Sequence, residues 1–139
     1  MEENFLKGID LELNIFKINR FIVILLIIML IEEEIDDAIY KKSPYIITWS
    51  NKSLTKLPNN IGKCTLLTIF YIDYNNLTFI PDSIGYCTAL QELRISYNKL
   101  INIPDSIGKC NALKTLDTSE NNLTVLPDTI GNCTALTYI

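Results

Sequence analysis

Leu54, Leu77, Leu100 and Leu123 stand 23 residues apart, and so do Pro58, Pro81, Pro104 and Pro127. The same step relates Ile61, Ile84, Ile107 and Ile130, then Gly62, Gly85, Gly108 and Gly131. It also relates Cys64, Cys87, Cys110 and Cys133, and finally Leu67, Leu90, Leu113 and Leu136. Six columns agreeing in four copies are not coincidence. Such a period constrains the chain to stacked supersecondary units, each burying its apolar side against the next, rather than one globular knot.

With the architecture so constrained, composition narrows the chemistry. The net charge of −4 and pI near 4.8 leave no basic footprint, so nucleic acid is not an expected partner. There is no histidine, which removes the Ser-His-Asp triad, the Cys-His pair and the commonest zinc ligand together. The glycines are Gly8 and the four repeat positions, so neither a P-loop nor a dinucleotide fingerprint can be assembled. No catalytic residue, cofactor site or metal site is nominated, and the chain does not read as an enzyme.

The four cysteines are one structural position seen four times. Strung along a solenoid at the ~4.8 Å strand spacing, the first and last lie roughly 15 Å apart. A tetrahedral zinc, with Zn–S of about 2.3 Å, cannot gather ligands in a line. Neighbouring pairs could reach disulfide distance, but Cys is also a good small buried hydrophobe. Buried free thiols are the expectation, and they favour a reducing compartment.

Residues 1–43 do not join the repeat. Ile9, Leu11, Leu13 and Ile15 alternate with polar residues, a period-two stretch that reads as a strand. Phe21–Ile31 is an unbroken apolar run followed by Glu32, Glu33 and Glu34. As a helix it would span ~16 Å, against ~30 Å of hydrocarbon. The long acidic stretch before it and the glutamates in place of a cleavage site do not suit a signal peptide. The segment is expected to be a hydrophobic cap over the first repeat, with membrane attachment and an unstructured leader as the alternatives. Ser43-Pro44 marks the boundary, and residues 44–139 form the array.

Each unit runs L-x-x-[L/F]-x-[I/T]-x-x-N-x-L, as in Leu67, Phe70, Ile72, Asn75 and Leu77. Apolar positions separated by one residue are the inward side of a short strand. The asparagines Asn75, Asn98 and Asn121 turn the chain off the sheet, where an amide can both donate to and accept from backbone that no ladder satisfies. Leu-x-x-[Leu/Ile]-Pro follows, with proline fixing φ for the outer turn. Ile-Gly-x-Cys-x-x-Leu then crosses the convex side, glycine being read as allowing a bend there.

The whole pattern, L-x-x-L-P-x-x-I-G-x-C-x-x-L-x-x-L-x-I-x-x-N, resembles a leucine-rich repeat. More narrowly, it is similar to the 23-residue LPxxIG class of intracellular Ras-pathway scaffold proteins and their plant and protist relatives. The resemblance covers about residues 45–139 and implies an α/β solenoid, a short horseshoe arc whose parallel strands line a concave face that binds protein. It also implies an intracellular signalling scaffold or regulator in the cytoplasm, with a small GTPase or phosphatase subunit as partner. Three departures stand out. Thr118 replaces the isoleucine of its column. Lys52 takes the asparagine position of a degenerate first unit, with Asn51 one residue early. Ile139 falls in mid-strand, so an uncapped edge with Leu136 and Ile139 is expected to favour self-association.

The side chains flanking the inward positions are expected on the concave face. The candidate protein-binding residues are Tyr71, Asp73, Tyr74, Glu92, Arg94, Tyr97, Asp117 and Glu120. Tyr74 and Tyr97 share a column, with Arg94 beside them and carboxylates around, which reads as a tyrosine-and-arginine stripe with an acidic rim. The plainer reading is a solvated sheet face where tyrosine serves strand propensity. Four N-x-[S/T] sequons, at Asn51, Asn76, Asn122 and Asn132, are read as products of the repeat rather than glycosylation sites.

Overall fold

A computed structural model describes residues 45–139. The readings made for residues 1–43 lie outside them. Strands β1 (Tyr45–Thr48), β2 (Leu67–Tyr71), β3 (Glu92–Arg94) and β4 (Thr115–Asp117) form one parallel sheet in chain order. Register follows the repeat: Ile47 pairs with Phe70, Phe70 with Leu93 and Leu93 with Leu116. The degenerate first unit therefore contributes a true strand, with one irregularity between Tyr45 and Ile46. Beyond β4, Tyr138 pairs in parallel with Thr115.

The return side consists of short 3₁₀ turns at Asn59–Lys63, Asp82–Tyr86, Asp105–Lys109 and Asp128–Asn132. Each follows a proline with φ between −65° and −72°. No α-helix occurs among the described residues. A 3₁₀ turn advances about 2.0 Å per residue against 1.5 Å in an α-helix, so a few residues cross the width of a unit. The solenoid class stands, with its helical half built from the tighter geometry.

Between sheet and turns lies a continuous core of the repeat columns. Leu67, Leu77, Ile84, Leu90, Ile95, Leu100, Ile107 and Leu113 are all fully buried. Trp49 closes the first unit, edge-on to Phe70 with ring centroids 5.3 Å apart. All four cysteines are free and buried. The thiols of Cys87, Cys110 and Cys133 donate to the carbonyls of Ile61, Ile84 and Ile107 at 3.3, 3.5 and 3.3 Å, each one unit back. Burial pushes the Cys87 and Cys110 thiols up to about 12, so they are poor nucleophiles.

The glycines correct the sequence reading. None of the four repeat glycines has positive φ, so no bend is being permitted. A Cβ at Gly62 would lie 2.5 Å from the Ser83 carbonyl oxygen, and one at Gly85 2.5 Å from that of Ser106. Glycine is there because the next unit's backbone passes too close for a side chain.

The asparagines join neighbouring units. Asn98 Oδ1 accepts from the Leu77 N–H at 3.0 Å, while Nδ2 donates to the carbonyls of Ile72, Ile95 and Ser96. Asn121 repeats this toward Leu100, Ile95, Thr118 and Ser119. In the first unit, which has Lys52 instead, Asn75 Oδ1 accepts from both the Lys52 and Leu54 N–H groups. The frayed turn is thus tied down by the amide of the following unit.

Candidate functional site

The asparagine clamp has a consequence one residue earlier. To place Asn75, Asn98 and Asn121 inward, the chain turns left-handed at Tyr74, Tyr97 and Glu120, with φ of 55°, 52° and 53°. Asn51 heads the same column with φ 58°. The conformation is locked from both sides: Tyr74 N–H donates to the Ser96 carbonyl, and Asn75 N–H to that of Tyr97. Asparagine tolerates this region; tyrosine and glutamate do so at a cost of order 1–3 kcal/mol.

Tyr74 and Tyr97 project from consecutive turns and stack, with centroids 4.4 Å apart and planes 8° apart. Both remain about half exposed, at 53% and 47%. Strand propensity cannot account for them, because neither lies in a strand and neither has extended φ. Stacking returns about 1 kcal/mol, and an asparagine would fit the backbone better. The sequence signal was Asn51 at the head of the column, a residue that favours left-handed turns.

Arg94 does not join this stack. Its guanidinium lies 4.9 Å from the ring centroid of Tyr71, its register partner on β2. It also pairs with Glu92 two residues back, Nη2 to Oε1 at 2.6 Å. Partial burial, and next the bond it donates to Glu92, push the Tyr71 phenol up. The expected single stripe is therefore two clusters: Tyr71, Glu92 and Arg94 on the strands, and Tyr74, Tyr97 and Glu120 on the turns that leave them.

Asp73 and Asp117 lie in between and brace the backbone. Asp73 Oδ1 accepts from the Ser96 N–H at 3.0 Å and its hydroxyl at 2.8 Å, crossing one unit. Asp117 Oδ1 accepts instead from the Ser119 N–H and hydroxyl in its own unit, at 3.1 and 2.6 Å. Sequence reasoning placed both carboxylates on the face but missed these bonds, since no local pattern announces an aspartate that reaches the serine of the next unit. Among the described residues no cluster of His, Cys, Asp and Glu is arranged to hold a metal, and no helix is long and apolar enough to cross a membrane.

Two overlapping stretches, residues 65–123 and 88–139, match the leucine rich repeat family profile. Together they span more than half of the sequence. The chain belongs to the leucine-rich repeat family. Solved structures agree. A leucine-rich repeat protein of Leptospira interrogans is 27% identical with a TM-score of 0.57, covering 78% of this chain and 33% of its own. The plant peptide hormone receptor RGFR1, in complex with RGF2, is 35% identical with a TM-score of 0.56, covering 60% of this chain and 14% of the receptor chain. This leucine-rich repeat chain thus spans well under two thirds of either protein. No curated protein matches the sequence.

Proposed function

We propose that this leucine-rich repeat array is a protein-interaction module whose binding site is the open face formed by the strands and the turns that leave them, centred on Tyr74 and Tyr97. The observation that carries the reading is the stack itself: two half-exposed tyrosines held where their own backbone preference opposes them. A residue kept at such a position against its conformational preference has work other than packing. Tyrosine and arginine dominate interaction hot spots, and Arg94 is already oriented on the same face by Glu92 and Tyr71. A standard interface needs about 800 Å² from each partner, a modest patch for four strands and their turns. The similarity to a peptide hormone receptor solved in complex with RGF2 supports binding of a protein or peptide partner by a repeat array of this kind.

The LPxxIG pattern makes an intracellular scaffold or regulator the role to test first, with small GTPases and phosphatase subunits as the partner classes. The test compares the native chain with a Tyr74→Ala/Arg94→Ala/Tyr97→Ala variant of matched melting curve, against a panel of nucleotide-loaded GTPases and phosphatase subunits and against lysate. A partner held by the native chain and lost by the variant is the expected result. Equal recovery by both would overturn the assignment to this face.

A further inference from the structure

The ring stack has an unused end. Tyr97 shares one face with Tyr74; along the column the next residue on its other side is Glu120, which turns off β4 in the same left-handed conformation. The Tyr97 phenol is pushed up by the neighbouring Tyr74 phenol first, then by the Glu120 carboxylate, with Asp117 adding to it. Of these neighbours the Glu120 and Asp117 carboxylates carry negative charge at neutral pH. Among the described residues the Glu120 carboxylate has no hydrogen bond or ion pair, and the Asp117 carboxylate uses a single oxygen.

Charge on the face is unbalanced in the same direction. Asp73, Glu92, Asp117 and Glu120 surround one cation, Arg94, and its guanidinium is committed to Glu92 and Tyr71. Lys114, at the entry to β4, is bonded to Gln91. Among the described residues no cation forms an ion pair with Glu120 or Asp117.

We propose that the Tyr97–Glu120 end of the stack is a subsite for an arginine side chain of an extended peptide or loop of the partner. Arginine suits it better than lysine. A guanidinium is planar, can extend the tyrosine stack as a third layer, and can present its N–H fork to Glu120 and Asp117 while stacked; an ammonium is a strongly hydrated point charge. Arg94 on Tyr71 beside Glu92 displays the same three-part arrangement within the chain, built from one ring, one guanidinium and one carboxylate.

This inference rests on the proposed open-face site, and the experiment separates the two. A random peptide library displayed on phage is selected against the full 139-residue chain. Recovered peptides are then measured against Tyr74→Ala/Tyr97→Ala and Asp117→Asn/Glu120→Gln variants whose melting curves match the native chain. The expected result is enrichment of arginine at one fixed position. Affinity falls about tenfold or more in the carboxylate variant, and also when that arginine is replaced by lysine. Binders that are lost in the tyrosine variant but lack a fixed arginine would overturn the subsite and leave the open-face reading standing. Binders indifferent to both variants, or no binders at all, would overturn both.

Discussion

Leu77 and Leu100 are fully buried, whereas Leu123 in the same column is half-buried. Ile84 and Ile107 are sealed, and Ile130 is not. Asn98 is 8% exposed, while Asn121 is half-buried and makes the same kinds of hydrogen bond. The inward columns are the same in both units except for Thr118 in place of Ile95 and Leu126 in place of Ile103. What differs is the unit stacked beyond: residues 100–122 cover the column of Asn98, and only residues 137–138 pair beyond β4. In this fold a core residue is buried by the neighbouring copy as much as by its own, so equal side chains in one column have unequal energetic weight.

The largest test of that contrast is at the asparagines. Asn98→Ala strands the Leu77 N–H in the dry interior, while the Ile72 carbonyl keeps the Asn75 amide, and is expected to cost about 2–3 kcal/mol. Asn121→Ala, where water can replace part of the amide, should cost roughly 1 kcal/mol. Urea unfolding of the two variants compares them, and equal losses would break the contrast.

A smaller effect of opposite sign separates the glycines. Gly85→Ala drives a Cβ into the Ser106 carbonyl and should destabilise by roughly 2 kcal/mol. At Gly131 a Cβ meets nothing within 4 Å and φ is not positive. Gly131→Ala is therefore expected to be neutral or stabilising by about 0.5 kcal/mol. Thermal melts decide it, and a large loss at Gly131 would mean that an unseen surface packs there.

The thiols sharpen the comparison most finely. Cys133 is slightly open at 4% exposure, whereas Cys87 and Cys110 are closed and pushed up to about 12 by burial. Their folded values lie above the unfolded value, so folding favours the neutral thiol. That stabilisation is complete below about pH 8.5 and is lost as pH rises from there toward 12. Between pH 8 and 9.5 each buried thiol should cost roughly 1 kcal/mol. Cys87→Ala should flatten the pH dependence of the urea midpoint more than Cys133→Ala does. Native-state alkylation should reach Cys133 before Cys87 or Cys110; uniform labelling would contradict the burial gradient.

The columns Leu54, Pro58, Ile61 and Leu67 were legible because repetition averages out local ambiguity: four copies of a pattern state which positions face inward. The core, the sheet register and the inward asparagines follow from them. Glycine was misread because its reason lies in the next copy, not in its own φ: Gly62 answers to Ser83, a contact that spacing does not display. Tyr74 and Tyr97 were legible as neighbours but not as left-handed residues, since that conformation is imposed by the amides of Asn75 and Asn98. Arg94 was assigned to the wrong tyrosines because the side chain chooses between two rings at equal sequence cost. Only the carboxylate at Glu92 settles that choice.

The asparagine clamp also sets a length scale for folding. Its cross-unit hydrogen bonds join residues 21 and 26 apart in every unit, with one more at 23 from Lys52 to Asn75. Each added copy lengthens the chain without lengthening the loop that must close, so relative contact order falls as an array of this kind grows. A longer array would then propagate from any formed pair of units by repeating one closure of fixed entropy. Its folding rate would be governed by the best pair of neighbours rather than by the number of copies.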